Sequence, residues 1–211
     1  MENEIRTVQK KILPKFISVL FHPVFMPVYG LLVIFTAPTV FWYLPLVVKK
    51  WLFVVYMILD VIVPLSLMPF LVHRKIISSW QMENREDRIL PLILLTVFYV
   101  STSVLIHRWQ IPFFLKAYTY SLPAISFVLL LVTLKWKISL HAAGAGALTA
   151  LVIILSLRMS TALTWYLSGV LLLSGIILSS RLRLDAHAPS EVYTGYSTGF
   201  VVSFIFMLLL Q

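Results

Sequence analysis

The sequence predicts an all-α integral-membrane helical bundle with six to seven transmembrane helices. The first observation is composition: of 211 residues, 60% are hydrophobic and only 12% are charged. The second is a mean hydropathy of +0.96. A soluble domain of this length cannot bury so much apolar surface, so most of it must face lipid or other helices. Cysteine is absent, which excludes disulfides, thiolate catalysis and zinc–thiolate sites.

Seven apolar segments supply the predicted helices. They run over residues 16–35, 51–72, 90–106, 111–134, 141–157, 161–179 and 192–210. Each is close to the length of about 20 residues that a spanning helix needs, and the third and fifth are the shortest. The stretch 37–48 is apolar but short and carries Pro38 and Pro45, which predicts a re-entrant or interfacial turn. Short connections indicate a single membrane domain over 1–211, with a polar N-terminal segment at 1–15.

The topology gathers three polar loops on one side of the bundle. With seven spans, the loops after the second, fourth and sixth helices share a side, and they cover residues 73–91, 135–141 and 180–192. We call these three segments the polar face. They contain most of the reactive side chains, whereas the opposite loops offer few. The sequence therefore predicts a functional site on the polar face and plain connections on the other.

The positive charge fits a membrane setting. The formal net charge is +9, but the Lys and Arg residues lie mainly beside apolar spans, where they contact lipid headgroups. Membrane lipids are therefore the expected partners, and no nucleic acid is expected. Of the 17 Lys and Arg residues, about 12 lie on the polar face or the N-terminal segment. The positive-inside rule would place that face in the cytoplasm.

The most informative motif lies between the last two helices. Ser180 and Arg181 are followed, after five residues, by His187, and Glu191 comes four residues later. Arginine binds oxyanions through a planar fork, and histidine can attack phosphorus or transfer a proton. Pro189 suits the first position of a helix, which places Glu191 one turn beyond His187. Glu191 can then accept the Nδ1–H of His187 and leave Nε2 free, an arrangement that indicates phosphate chemistry at a membrane surface.

This motif resembles the third signature of the type 2 phosphatidic acid phosphatase superfamily, which reads Ser-Arg, five residues, His, three residues, Asp. Glu191 stands here in the place of the usual Asp. Ser139-Leu140-His141 resembles the second signature, Pro-Ser-Gly-His. The first signature, Lys, six residues, Arg-Pro, is matched only loosely: Arg88 stands at the arginine position, Pro91 comes two residues late, and Gln81 occupies the lysine position. Arg85 or Lys137 could supply the missing positive charge.

The resemblance implies a metal-independent lipid phosphatase without a cofactor. Its substrate would be a lipid phosphomonoester or diphosphate, and His187 would be phosphorylated transiently. His141 would protonate the leaving alcohol and later help to activate water, while Glu191 orients His187. The resemblance implies that the phosphate is bound by Arg181, Arg88, Arg85, Lys137 and Ser139. Most family members work on the outer face, which places the site on the extracytoplasmic side; the small size indicates a bacterial cytoplasmic membrane.

Two other functions fit the same residues. A lipid phosphotransferase would use an alcohol in place of water at the phosphohistidine, and the sequence does not separate it from a phosphatase. A non-catalytic transporter or scaffold would use the polar face to bind anionic lipid. Arg85 and Arg88 would then be ordinary solvated charges.

Two further features concern the membrane interior. Asp60 lies in the middle of the second span, where an acid is costly. We expect Asp60 to make a structural hydrogen bond to a neighbouring helix. The alternative is that Asp60 is a functional acid. The glycines at 144, 146, 195 and 199 predict close helix packing, and the last two form a Gly-x-x-x-Gly pair.

Overall fold

The computed structural model describes residues 2–80, 82 and 84–210, with side chains from residue 11 onward. Gln81, at the proposed lysine position, lies outside the described residues. Nine α-helices and no strands occur in the described part of the chain, which confirms the all-α fold class. The helices are α1 (Glu2–Leu20), α2 (Met26–Thr36), α3 (Leu46–Val55), α4 (Val63–His73), α5 (Ile89–His107), α6 (Phe113–Thr133), α7 (Leu140–Arg158), α8 (Thr164–Arg183) and α9 (Pro189–Leu209).

Seven helical segments within the described residues are long and apolar enough to cross a membrane, which fits an integral membrane protein. They follow the seven predicted segments closely and are Lys11–Thr36, Leu46–His73, Glu86–His107, Phe113–Thr133, Leu140–Arg158, Thr164–Arg183 and Pro189–Leu209. Large apolar side chains cover much of the surface, including Trp165 at 88% exposure and Leu172 at 71%. Such a surface is suited to lipid.

The first span is discontinuous, whereas the sequence predicted one continuous helix. α1 ends at Leu20, His22 is extended (φ −61°, ψ 140°), and a short 3₁₀ turn at Pro23–Phe25 leads into α2. The cause is Pro23, because proline disfavours the helical conformation in the residue before it. The break matters because non-helical backbone within the hydrocarbon region is tolerated only where it is packed in protein or lines a cavity.

The apolar stretch 37–48 forms the connection between the first two spans. It contains a 3₁₀ turn at Val40–Tyr43, and α3 already begins at Leu46. Lys49 closes the connection by donating from Nζ to the Trp42 carbonyl at 2.7 Å. Trp42 and Tyr43 are exposed, as aromatic side chains at a membrane interface commonly are. The stretch 37–48 is thus a turn that connects the first two spans.

The second span contains the buried acid. Between α3 and α4 the chain forms a π-helix at Tyr56–Ile62, and Asp60 within it is fully buried. The Thr102 hydroxyl of α5 donates to Asp60 Oδ1 at 2.6 Å, which confirms the predicted hydrogen bond to a neighbouring helix.

The predicted glycine contacts are confirmed between α7 and α9, the two helices with the most extensive contact. A Cβ at Gly199 would overlap the Ala143 carbonyl, and a Cβ at Gly146 would overlap the Tyr196 carbonyl. A Cβ at Gly195 would press against the Ser139 carbonyl. These backbones are therefore in direct contact, which fixes the start of α7 against the start of α9.

Candidate active site

Backbone and side-chain hydrogen bonds join the three predicted segments of the polar face. Arg88 donates from Nη1 to the Ile138 carbonyl at 2.9 Å and from Nε to the Met82 carbonyl at 2.8 Å. The Ser139 amide donates to the Glu191 carbonyl at 3.2 Å. The loop before α5, the start of α7 and the start of α9 thus meet at one place.

The histidine–carboxylate pair has the geometry that its spacing predicts. α9 begins at Pro189, and His187 lies just before the helix. Its Nδ1 is 2.6 Å from Glu191 Oε2, and the two side chains are only 2% and 15% exposed. Glu191 is an acceptor when ionised, so Nδ1 carries the proton and Nε2 carries the lone pair. Nε2 makes no hydrogen bond to the residues that the structure describes.

The surroundings keep His187 neutral. Burial lowers the pKa of His187 below its ordinary value, and the charges of Arg88 and Arg181 act in the same direction. The hydrogen bond to Glu191 raises the pKa but does not outweigh burial. A neutral imidazole with a free Nε2 is the nucleophilic form.

Arg181 provides an unused donor beside the pair. It lies in the last turn of α8 and donates from Nη1 to the Ser18 hydroxyl at 3.1 Å. Its Nε is buried and has no hydrogen-bond partner within the described residues. An unsatisfied buried donor is costly. Arg181 also lies close enough to Arg88 for their charges to interact. Two neighbouring guanidinium groups and a spare N–H form a suitable site for an oxyanion.

His141 lies on the same side of the bundle and contacts the broken first helix. Its Nε2 is 3.0 Å from the Ser18 carbonyl, and because a carbonyl only accepts, this nitrogen carries a proton. In the neutral ring Nδ1 then carries a lone pair, so His141 can deliver a proton to a substrate from Nδ1 only in its doubly protonated form. The rings of His141 and His22 meet edge to face with centroids 5.5 Å apart.

The remaining predicted ligands are placed less centrally. Ser139 is fully buried and caps α7, its hydroxyl accepting from the Ala142 amide at 3.4 Å. Arg85 donates from Nη1 to the Leu134 carbonyl at 2.9 Å. Lys137 is half-buried next to Ile138, whose carbonyl binds Arg88. The structure thus brings together His187, Glu191, Arg88, Arg181 and His141, with Arg85 and Lys137 towards the edge.

Ser18 and His22 are site residues that the sequence interpretation missed. Ser18 binds both Arg181 and His141, and His22 packs on His141. The His22 Nδ1 accepts from the Val24 amide at 3.4 Å, which leaves the Nε2–H of the neutral ring free to donate. The sequence Phe21-His22-Pro23 could have indicated this site. A proline inside an apolar span predicts that the helix ends at the residue before it, and here that residue is a polar histidine.

Within the described ranges, no group of three or more His, Asp and Glu side chains is placed to hold a metal ion. No family model, curated protein or solved structure matches the chain.

Proposed function

We propose that this protein is an integral-membrane phosphatase that removes phosphate from a lipid phosphomonoester or diphosphate through a phosphohistidine. The observation that carries the proposal is the His187–Glu191 pair, with its 2.6 Å hydrogen bond and a free Nε2 close to Arg88 and Arg181. Of these residues, Arg181, His187 and Glu191 belong to the motif that resembles the third signature of the type 2 phosphatidic acid phosphatase superfamily.

The reaction would proceed in two displacements. In the first, the Nε2 lone pair of His187 attacks phosphorus, a P–N bond forms, and the P–O bond to the lipid breaks. The leaving oxygen takes a proton from Nδ1 of His141, which must be doubly protonated at the start of this step and is neutral at its end. In the second, water attacks phosphorus, gives up a proton to the same residue, and breaks the P–N bond to release inorganic phosphate. Glu191 stabilises the positive charge that develops on the His187 ring.

The arginines would stabilise the transferring phosphoryl group. Arg181 offers the unpartnered Nε, and the Arg88 guanidinium is already fixed by two carbonyls, so little reorganisation is needed when charge develops. Arg85, Lys137 and Ser139 remain predicted phosphate ligands. We place the site on the extracytoplasmic side of a bacterial cytoplasmic membrane, as the resemblance implies.

Phosphate release by the purified protein from a panel of lipid phosphates tests the proposal. We expect turnover in excess chelator, and a loss of at least about 1000-fold in His187→Ala, because a covalent nucleophile is removed. The matched control is His73→Ala, which changes a histidine at the end of α4. A loss below tenfold in folded His187→Ala, or complete loss in chelator that a divalent ion restores, would refute the mechanism.

Two readouts separate the alternatives. Acid-labile labelling of His187 by phosphorylated substrate is expected for both a phosphatase and a phosphotransferase. Added alcohols acting as acceptors would identify the transferase. Lipid binding without phosphate release, unchanged in His187→Ala, would instead indicate the non-catalytic transporter or scaffold.

A further inference from the structure

An apolar groove begins directly beneath the candidate active site. Three of its lining residues are neighbours of site residues: Pro23 follows His22, Leu140 precedes His141, and Leu92 lies one helical turn below Arg88. A phosphate held between the arginines would therefore have the mouth of this groove beside it. The groove is lined by residues of several helices of the bundle, and residues adjacent in sequence to the candidate site line one end of it.

The groove has a definite length. On α6 it runs from Leu129 to Tyr118, and on α7 it runs from Leu140 to Leu151. Both are 11-residue separations, equal to about 16 Å at the rise of an α-helix. That length is close to half of the hydrocarbon core of a bilayer, which is about 30 Å thick. One lipid chain that ends within a single leaflet would fill it.

Tyr118 closes the far end. Its hydroxyl donates to the Pro27 carbonyl of α2 at 2.8 Å, so the side chain crosses from α6 to α2. The absence of a side chain at Gly30 makes room for it, because a Cβ there would overlap the Tyr118 hydroxyl. The Tyr118 ring is also stacked on Tyr56, with centroids 6.3 Å apart. A buried, hydrogen-bonded and stacked aromatic ring is a rigid floor.

The wall near the middle of the groove is built from small residues. Gly144 and Ala147 of α7 lie between the mouth at Leu140 and the deep end at Leu151. A larger side chain at Ala147 would therefore project into the groove about two-thirds of the way down.

We propose that the groove binds one hydrocarbon chain of the lipid phosphate, and that Tyr118 limits its length, so the enzyme selects phosphorylated lipids whose chain ends within one leaflet. Longer polyprenyl chains would not be enclosed. The inference rests on the proposed phosphatase function and adds the class of lipid that the site accepts.

The test measures kcat/KM for straight-chain monoalkyl phosphates of increasing length, supplied as monomers below their critical micelle concentrations to detergent-free protein held in amphipol, so that each chain leaves water when it binds. For the parent, each added methylene should raise kcat/KM about threefold to fourfold while the chain is still being buried. The gain should stop once the chain reaches about 16 Å.

Two variants should move this break in opposite directions. Tyr118→Ala opens the floor and should shift the break to chains longer by at least two carbons. Ala147→Phe blocks the groove and should shift it to shorter chains. Tyr118→Phe keeps the ring and should keep the break where it is. The matched control is Tyr120→Ala, because Tyr120 lies on the same helix but its hydroxyl contacts His107 instead.

The outcomes separate the two proposals. If no chain length is turned over, the phosphatase function itself is wrong, and if turnover survives His187→Ala, the phosphohistidine mechanism is wrong. If turnover depends on His187 but the break is absent, or is the same in Tyr118→Ala and Ala147→Phe as in the parent, the groove does not select the chain. Should Tyr118→Ala fail to fold, Ala147→Phe decides the question alone.

Discussion

Glu191→Gln is the sharpest test of how the candidate site works. The substitution keeps the size of the side chain but removes the charge, and it adds an NH₂ group that can only donate. The Gln amide can present this donor to His187 Nδ1, which moves the imidazole proton to Nε2. The nitrogen that should attack phosphorus would then lack its lone pair.

The expected magnitude follows from the hydrogen bond. The distance from His187 Nδ1 to Glu191 Oε2 is 2.6 Å, and both side chains are almost fully shielded from solvent. A hydrogen bond to a charged group contributes about 1.5–3 kcal/mol. Since each 1.36 kcal/mol changes a rate about tenfold, kcat should fall by about 10-fold to 150-fold. KM should change little, because the carboxylate is a positioning group and does not contact phosphate.

Two comparisons make the test specific. Glu191→Asp retains the charge but shortens the side chain by about 1.5 Å. The backbone carbonyl of residue 191 is held by the Ser139 amide, so the shorter side chain should lengthen the hydrogen bond to His187 Nδ1. Because the charge is retained, we expect a smaller loss of kcat than in Glu191→Gln. Glu86→Gln is the control, because Glu86 is an exposed acid on the same face. Steady-state kinetics on a soluble lipid phosphate measure all three. A Glu191→Gln protein as active as the parent would refute the orienting role.

Three further predictions concern the same region. Burial lowers the pKa of His187 to about 4, so the neutral form persists as pH falls below the ordinary histidine value. We expect kcat/KM corrected for substrate protonation to stay flat through pH 6.5 and to fall only as pH approaches 4; a fall centred near pH 6.5 would contradict this. Arg181→Lys keeps the charge but loses the planar guanidinium and its unpartnered Nε, so kcat/KM should fall at least about tenfold. Arg183→Lys is the control: Arg183 is exposed, and this variant should have the kcat/KM of the parent. Gly199→Ala places a Cβ against the Ala143 carbonyl and should destabilise the protein by about 1–3 kcal/mol, measured as a lower Tm, whereas Gly175→Ala meets no atom within 4 Å and should not.

Much of the fold follows from local pattern. Apolar segments of about 20 residues predict spanning helices, because the bilayer leaves few other backbone conformations possible. The His187–Glu191 hydrogen bond could also be predicted, because Pro189 fixes where α9 begins and a four-residue separation then brings the two side chains together. Both predictions depend on residues that are close in sequence.

The contacts that could not be predicted join distant parts of the chain. Arg88 binds the carbonyl of Ile138, 50 residues away, and Arg181 binds Ser18 across 163 residues. Such contacts depend on how the helices pack against one another. The hydrophobic periodicity of the sequence does not predict that packing. His22 was missed for a related reason, since a histidine in an apolar span resembles an ordinary core residue until the helix is seen to break there.

Two hydrogen bonds described above bear on how the protein is assembled in the membrane. The Ser139 amide donates to the Glu191 carbonyl, and Arg88 donates to the Ile138 carbonyl. The third, fifth and seventh spans each carry a part of the candidate site, and His187 and Glu191 are made after Arg88 and His141. A chain in which only the first five spans have been inserted has Arg88 and His141 in place but not the His187–Glu191 pair. The candidate site can therefore assemble only after α9 has been inserted, and under the proposed function the protein would be inactive until then.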